Sequence, residues 1–168
     1  MYRLFVMDVD GTLTDGKIYM SPGGEALKAF DIKDGYGIKN ILKRYQIKTA
    51  IITGRESQIV QRRAEELDID YLCQGVNDKL FCMEQLIENL GCNFENVVYV
   101  GDDVNDLPCM KKVGLSCCPS DAHESVKEVA KYVTQCRGGQ GAVREVIDKI
   151  IEQEEENETN KCRYLPVK

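Results

Sequence analysis

Leu4-Phe5-Val6-Met7-Asp8-Val9-Asp10-Gly11-Thr12-Leu13-Thr14-Asp15-Gly16 decides how the rest of the chain is read. Leu4 to Met7 is an unbroken apolar run of strand length, the pattern of a strand buried on both faces. Asp8 and Asp10 follow at spacing i, i+2, which puts both on one side of an extended chain. They therefore face one site just beyond the strand's carboxyl end, the edge at which open α/β sheets bind ligands. Gly11 lets the backbone turn away where a side chain would block approach. Two carboxylates this close repel unless a cation, a proton or a ligand separates them. Taken alone, the pattern is equally that of a polar strand end followed by a turn.

Outward from this stretch, strand and helix signals alternate. Residues 17–20 and 26–32 are short extended runs around Ser21-Pro22-Gly23-Gly24, so a β-hairpin is expected over 17–33, closed by Asp34-Gly35. Helical spacing of Ile38, Ile41 and Leu42 predicts a helix over 37–45. A buried strand at 49–52 ends in Thr53-Gly54-Arg55, and Ser57 reads as the N-cap of a helix to about residue 67. A short strand at 69–72 precedes a helix over 78–90 that Gly91 stops. The strand 97–100 leads into Gly101-Asp102-Asp103-Val104-Asn105-Asp106, a helix to 113 and a strand-like 114–118. Asp121 and Glu124 resemble a capping box. His123, between them, reads mainly as a helix-end group, with substrate contact the alternative. Arg137-Gly138-Gly139-Gln140-Gly141 reads as a flexible loop before a last helix over 142–154. Residues 155–168 read as a tail. The expected fold is α/β, a doubly wound parallel sheet with right-handed crossovers, in a single domain over 1–154.

Bulk composition narrows the function. The 168 residues are 43% hydrophobic and 30% charged, as in soluble globular proteins. A net charge of -6 argues against a nucleic-acid surface. No apolar run reaches membrane-spanning length, and the chain opens directly into a strand, so neither a membrane partner nor a secretory signal is expected. Eight cysteines (73, 82, 92, 109, 117, 118, 136 and 162) include no C-x-x-C pair, which speaks against a zinc or redox motif. A reduced, cytoplasmic protein is the expectation.

Four polar sets fall at the carboxyl ends of predicted strands or in the loops beyond them: Asp8 with Asp10; Thr53; Lys79; and Asp102, Asp103 and Asp106. Clustered carboxylates suit a hard cation with oxygen ligands, most simply Mg²⁺. A lysine and a hydroxyl beside them supply charge and a donor for a phosphate. One carboxylate can be a nucleophile that forms an aspartyl-phosphate, and its neighbour an acid and base. The chemistry this suggests is phosphoryl transfer.

D-V-D-G-T, hydrophobic-T-G-R, the mid-chain lysine and G-D-D-x-x-D resemble the four motifs of the haloacid dehalogenase-like phosphohydrolase superfamily, over residues 4–106. The resemblance implies a Rossmann-like sheet, Asp8 as nucleophile and Asp10 as acid/base, with Thr53 and Lys79 on the transferring phosphoryl group. It implies Mg²⁺ held by the Asp8 carboxylate, the Asp10 main-chain carbonyl and Asp102, with Asp103 and Asp106 as supporting acids. F-D-I-K-D-G-Y-G-I, R-R-A-E-E-L, Q-G-V-N-D-K and R-G-G-Q-G-A-V-R-E extend the likeness to the sugar-acid phosphatases that act on 3-deoxy-D-manno-octulosonate 8-phosphate. Phosphatases of nine-carbon keto-sugar acids share much of the pattern. Neither interval between motifs is long enough to fold as a cap domain. The resembling family is capless and forms a homotetramer in which hairpins and neighbouring chains cover each site. The implied partner is a small phosphorylated keto-sugar acid. Gly54, Arg55, Arg63 and Arg137 are candidates for binding it, with Arg62 and Arg144 as further arginines, since arginine suits bidentate carboxylate recognition. Two other readings stay open: a phospho-accepting receiver-like domain, and an inactive interaction module.

Overall fold

The computed structural model describes residues 1–163, and side chains to residue 156. In chain order the elements are β1 (Leu4–Met7), β2 (Tyr19–Ser21), β3 (Gly24–Leu27), α1 (Ile32–Tyr36), a π-helical stretch (Gly37–Leu42), β4 (Lys48–Ile52), α2 (Gln58–Glu66) and β5 (Tyr71–Cys73). They continue with α3 (Lys79–Leu90), β6 (Val97–Val100), α4 (Leu107–Met110), β7 (Leu115–Cys118), α5 (Glu124–Lys127), β8 (Tyr132–Val133) and α6 (Ala142–Arg163).

Six strands form one sheet in the order β5-β4-β1-β6-β7-β8, and every pairing in it is parallel. β1 is an inner strand with both neighbours in full register, Phe5 opposite Thr49 and Val98, so both its faces are covered. Its side chains alternate between two cores. Phe5 and Met7 pack with Ile51, Val98, Ile38, Leu42, Val60, Val146 and Ile147, under the π-helical stretch, α2 and α6. Leu4 and Val6 pack with Ala50, Ile52, Tyr99, Met83, Ile87, Met110 and Val126, under α3, α4 and α5. Each large apolar side chain so buried contributes about 1.5–3 kcal/mol relative to exposure. The doubly wound parallel sheet expected from the sequence is the fold observed.

Local end signals read true. Ser57 accepts from the Val60 amide at 3.3 Å and Gly91 turns left-handed after α3; Asp78, expected as the first helical residue, is instead the cap and accepts from the Phe81 amide at 3.0 Å. Several boundaries differ from the sequence reading. β3 stops at Leu27, and α1 begins at Ile32, where Asp31 caps it by accepting from the Lys33 amide. Asp34 and Gly35, read as a turn, lie inside this helix. The glycines there serve close packing: a Cβ on Gly35 would lie 2.5 Å from Arg63 Nη2, and one on Gly37 2.9 Å from Ile147 Cδ1. His123, not Asp121, caps α5, accepting from the Ser125 amide through Nδ1. α6 runs past residue 154 to Arg163, because 152–163 are mostly good helix formers with no glycine or proline among them. The last part of the expected tail, 164–168, lies outside the described residues. No helix among the described residues is long and apolar enough to cross a membrane.

Candidate active site

The parallel sheet brings the carboxyl ends of β1, β4 and β6 side by side, and with them Asp8, Thr53 and Asp102. The Asp8 amide bonds to the Val100 carbonyl at 3.0 Å, so β1 stays paired to β6 up to the first acid. The chain then wraps tightly: the amides of Thr12, Leu13 and Thr14 all reach the Val9 carbonyl. Gly11, at φ +98°, is required by proximity as well as by the turn, since a Cβ there would lie 2.0 Å from Asp102 Oδ2.

Lys79, the first residue of α3, reaches back under the sheet edge. Its Nζ donates to Asp8 Oδ1 and to Asp106 Oδ1, both at 2.7 Å, and its side chain is 3% exposed. Asp106 is the best-held acid. Its Oδ1 also accepts from the Tyr99 hydroxyl at 2.7 Å, and its Oδ2 from the amides of Asp102 and Asp103 at 3.0 and 3.3 Å. Thr12 Oγ1 donates to Asp102 Oδ1 at 3.0 Å. Thr53 is fixed through its main chain, to Cys73 and Val76, and its hydroxyl has no protein partner among the described residues. Asp103 is exposed and accepts from its neighbour Val104's amide. It therefore acts as a local cap, and of the two expected supporting acids only Asp106 touches Lys79.

Charge decides what this cluster can hold. Ligand oxygens of Asp8, Asp102 and Asp106 lie within 4.8 Å of one another. Three acids against the Lys79 ammonium would carry two excess negative charges if all were ionised, which burial opposes. Burial pushes the Asp8 carboxyl up, opposed by Lys79 and reinforced by Asp106. Burial, then the charges of Asp8 and Asp106, push Asp102 up as well. A divalent cation would neutralise the excess, and all-oxygen donors suit a hard one. The positions around both Asp106 oxygens are already filled by four donors, so the free carboxylate oxygens are those of Asp8 and Asp102. These two fit a cation; Asp106 holds the frame.

A family model described as haloacid dehalogenase-like hydrolase matches residues 73–147. The 3-deoxy-D-manno-octulosonate 8-phosphate phosphatase KdsC of Escherichia coli K12 is 50% identical over 149 residues, 89% of this chain and 79% of that protein. The chain belongs to the 3-deoxy-D-manno-octulosonate 8-phosphate phosphatase family of haloacid dehalogenase-like hydrolases. Among solved structures, a family member from Yersinia pestis superposes with a TM-score of 0.89 at 47% identity, over 94% of this chain and 84% of that one. A member from Moraxella catarrhalis, in complex with magnesium ion, phosphate ion and KDO, superposes at 0.88 with 38% identity, over 98% of this chain and 94% of that one.

Within this family frame the candidate arginines divide. Arg55 stands at the rim, 51% exposed, with Nε 3.7 Å from Asp10 Oδ2, directly after Thr53 and Gly54. Arg137 pairs with Asp121 at 3.2 Å on a loop pressed against the turn that follows Asp8. The Gly139 amide donates to the Thr12 carbonyl at 3.0 Å, and a Cβ on Gly138 would sit 1.8 Å from the Gly11 carbonyl oxygen. The loop read as flexible is thus wedged in place by two glycines. Arg63 is used elsewhere: it stacks over Phe30 at 5.5 Å and bonds Glu66 and the Asp31 carbonyl. Arg144 likewise stacks over Tyr36 and bonds Asp148, and Arg62 lies on the exposed face of α2. His123 serves its helix end. Sequence reading missed Thr12, Tyr99 and Lys28, which hold Asp102, Asp106 and Asp10 respectively. Thr12 lies inside the quoted motif and Tyr99 in a buried strand with a polar tip that needed a partner; Lys28 carried no local signal.

Proposed function

We propose that this chain is a Mg²⁺-dependent phosphomonoesterase that hydrolyses 3-deoxy-D-manno-octulosonate 8-phosphate to the free keto-sugar acid and phosphate. The observation that carries the reading is the buried Asp8 carboxylate, aimed from β1 by Lys79 and facing Asp102 in a cluster of three acids and one ammonium. An Asp8 oxygen bonds to phosphorus as the bond to the sugar oxygen breaks, and Asp10 gives its proton to that leaving oxygen. Asp10 then takes a proton from the water whose oxygen displaces Asp8 from phosphorus, and free phosphate leaves. Lys79 aligns the nucleophile and, with the Thr53 hydroxyl, donates to the phosphoryl oxygens. Asp8, Asp102 and the Asp10 main-chain carbonyl would hold Mg²⁺, which when bound offsets charge on the transferring group. Gly54, Arg55 and Arg137 border the space for the sugar acid, and the two arginines suit its carboxylate.

Among the described residues no cap domain covers the site. The hairpin exposes Ile18, Tyr19, Met20 and Leu27, and Ile32 and Tyr36 continue the apolar surface. Such a patch supports a closed homotetramer in which neighbouring chains cover each site, in the cytoplasm. The test is phosphate release from eight- and nine-carbon keto-sugar phosphates, before and after exhaustive chelation, with Asp8→Asn alongside. Turnover that stops on chelation, returns with Mg²⁺ and vanishes in a folded Asp8→Asn protein is expected. Full activity of either the chelated protein or the variant would refute the reading, and a single stable phosphorylation would indicate a receiver.

A further inference from the structure

Asp10 is held by a residue that the motif does not contain. Lys28 follows β3, and its Nζ donates to Asp10 Oδ1 and pairs with Glu25 Oε1 at 2.9 Å. The Ser57 hydroxyl in turn donates to Glu25 Oε2, and Ser57 is itself anchored, as the cap of α2 and through its amide to Gln74 at 2.9 Å. An unbroken polar chain, Ser57–Glu25–Lys28–Asp10, therefore runs from a helix terminus through the hairpin to the acid/base position.

We propose that Lys28 is a positioning residue for Asp10: by donating to Oδ1 it turns Oδ2 toward the leaving group, which makes the hairpin part of the proton-transfer apparatus. This rests on the reading of Asp10 as acid/base. Asp10 needs such a holder. It stands on a turn with its side chain 19% exposed, and its other cation, Arg55, is 3.7 Å away and half in solvent. A proton donor works only within hydrogen-bond reach of the atom it serves, and a carboxylate left to rotate spends little time there. Lys28 is suited to hold rather than to bind substrate. Its side chain is 1% exposed and is already engaged by two carboxylates. Burial alone would lower its pKa, but the bonds and charges of Asp10 and Glu25 outweigh that and raise it, so the ammonium persists. With Oδ1 occupied, Oδ2 is the oxygen that carries the proton out to the sugar oxygen and takes one back from water.

The experiment compares Lys28→Met with the parent in the first turnover of two esters. Nitrophenolate leaves p-nitrophenyl phosphate with little need of a proton, whereas the sugar oxygen needs one. In Lys28→Met the first-turnover rate on the sugar ester is expected to fall about 100-fold with KM little changed, while that on the nitrophenyl ester stays within about threefold. Equal losses on both esters, an unchanged rate on the sugar ester, or a raised KM with an unchanged rate would overturn the assignment. Asp10→Asn, run in parallel, separates the two levels. If it shows no leaving-group dependence, the acid/base reading fails; if it shows one and Lys28→Met does not, only the role of Lys28 fails. Should Lys28→Met not fold, Glu25→Gln cuts the same chain one link earlier. The same preference for the nitrophenyl ester is then expected, and its absence overturns the proposal.

Discussion

Replacing Lys79 by methionine tests how the buried charges are balanced. The ammonium lies 2.7 Å from both Asp8 and Asp106, whose side chains are 9% and 0% exposed, so little water can replace it. Removing one partner of a buried ion pair costs about 3–5 kcal/mol, because the remaining charge stays uncompensated. The lower end applies here, since Asp106 keeps its bonds from Tyr99, Asp102 and Asp103. About 3 kcal/mol is a large part of a domain's usual 5–15 kcal/mol. With a urea slope of about 2 kcal/mol per molar, the midpoint should fall by about 1.5 M. The sign with pH follows from Asp8. Burial first, with Asp106 adding and Lys79 opposing, already raises it from 3.8 to about 6, and loss of Lys79 raises it further. An acid with a raised folded pKa stabilises fully below its unfolded value and loses that contribution as pH rises through the folded one. The deficit of Lys79→Met should therefore be largest at pH 8 and shrink toward pH 4. Metal-free urea unfolding, followed by far-ultraviolet circular dichroism at both pH values and at several protein concentrations, measures it. A midpoint loss below about 0.5 M at pH 8, or a deficit that ignores pH, would show that no uncompensated charge is created.

Three further outcomes test other parts of the frame. Tyr99→Phe removes one hydroxyl from Asp106 without changing the packing, and should cost about 1.5–3 kcal/mol in the same unfolding assay, as for a hydrogen bond to a charged group. Asp34 is buried at the start of α6, where its Oδ1 accepts from the Arg144 amide at 2.7 Å while Oδ2 is buried with no partner. Burial, with smaller opposing contributions from the Arg144 and Gly141 amides, raises it from 3.8 to about 6, so its charge costs stability above that range. Asp34→Asn should therefore gain on the parent between pH 4 and pH 8 by up to about 3 kcal/mol, and parallel stability curves would refute this. Gly138→Ala places a methyl 1.8 Å from the Gly11 carbonyl, so the turn bearing Asp10 must shift. A displacement of this order should cost about 100-fold in kcat/KM, read against a melting curve that shows the fold retained.

The elements legible in the sequence are those whose signal is local. An apolar run of four residues, Leu4 to Met7, is enough to require burial on both faces, and Asp8 follows it wherever the strand goes. Ser57 and Gly91 act on amides and carbonyls within a few residues, so their roles survive any tertiary arrangement. Where local and tertiary forces compete, the tertiary ones decide. Asp34, Gly35 and Gly37 read as turn and helix start by propensity, yet they are buried within a continuous helix, where α2 and α6 lie too close for a side chain on either glycine and the Arg144 amide takes the Asp34 carboxylate. The holders of the acids belong to the same class. Thr12 meets Asp102 across 90 residues of chain, Lys79 meets Asp8 across 71, and Lys28 meets Asp10 across 18 through a hairpin. Nothing in the residue types along the chain states these pairings. They depend on the strand order, which sets β6 beside β1, and on how a folded hairpin lies over the sheet edge. Sequence alone marked which acids, hydroxyl and lysine would stand at the carboxyl edge of the sheet; the fold decided which neighbour fills each remaining hydrogen-bond position, because a buried polar group takes whatever partner the packing brings within about 3 Å.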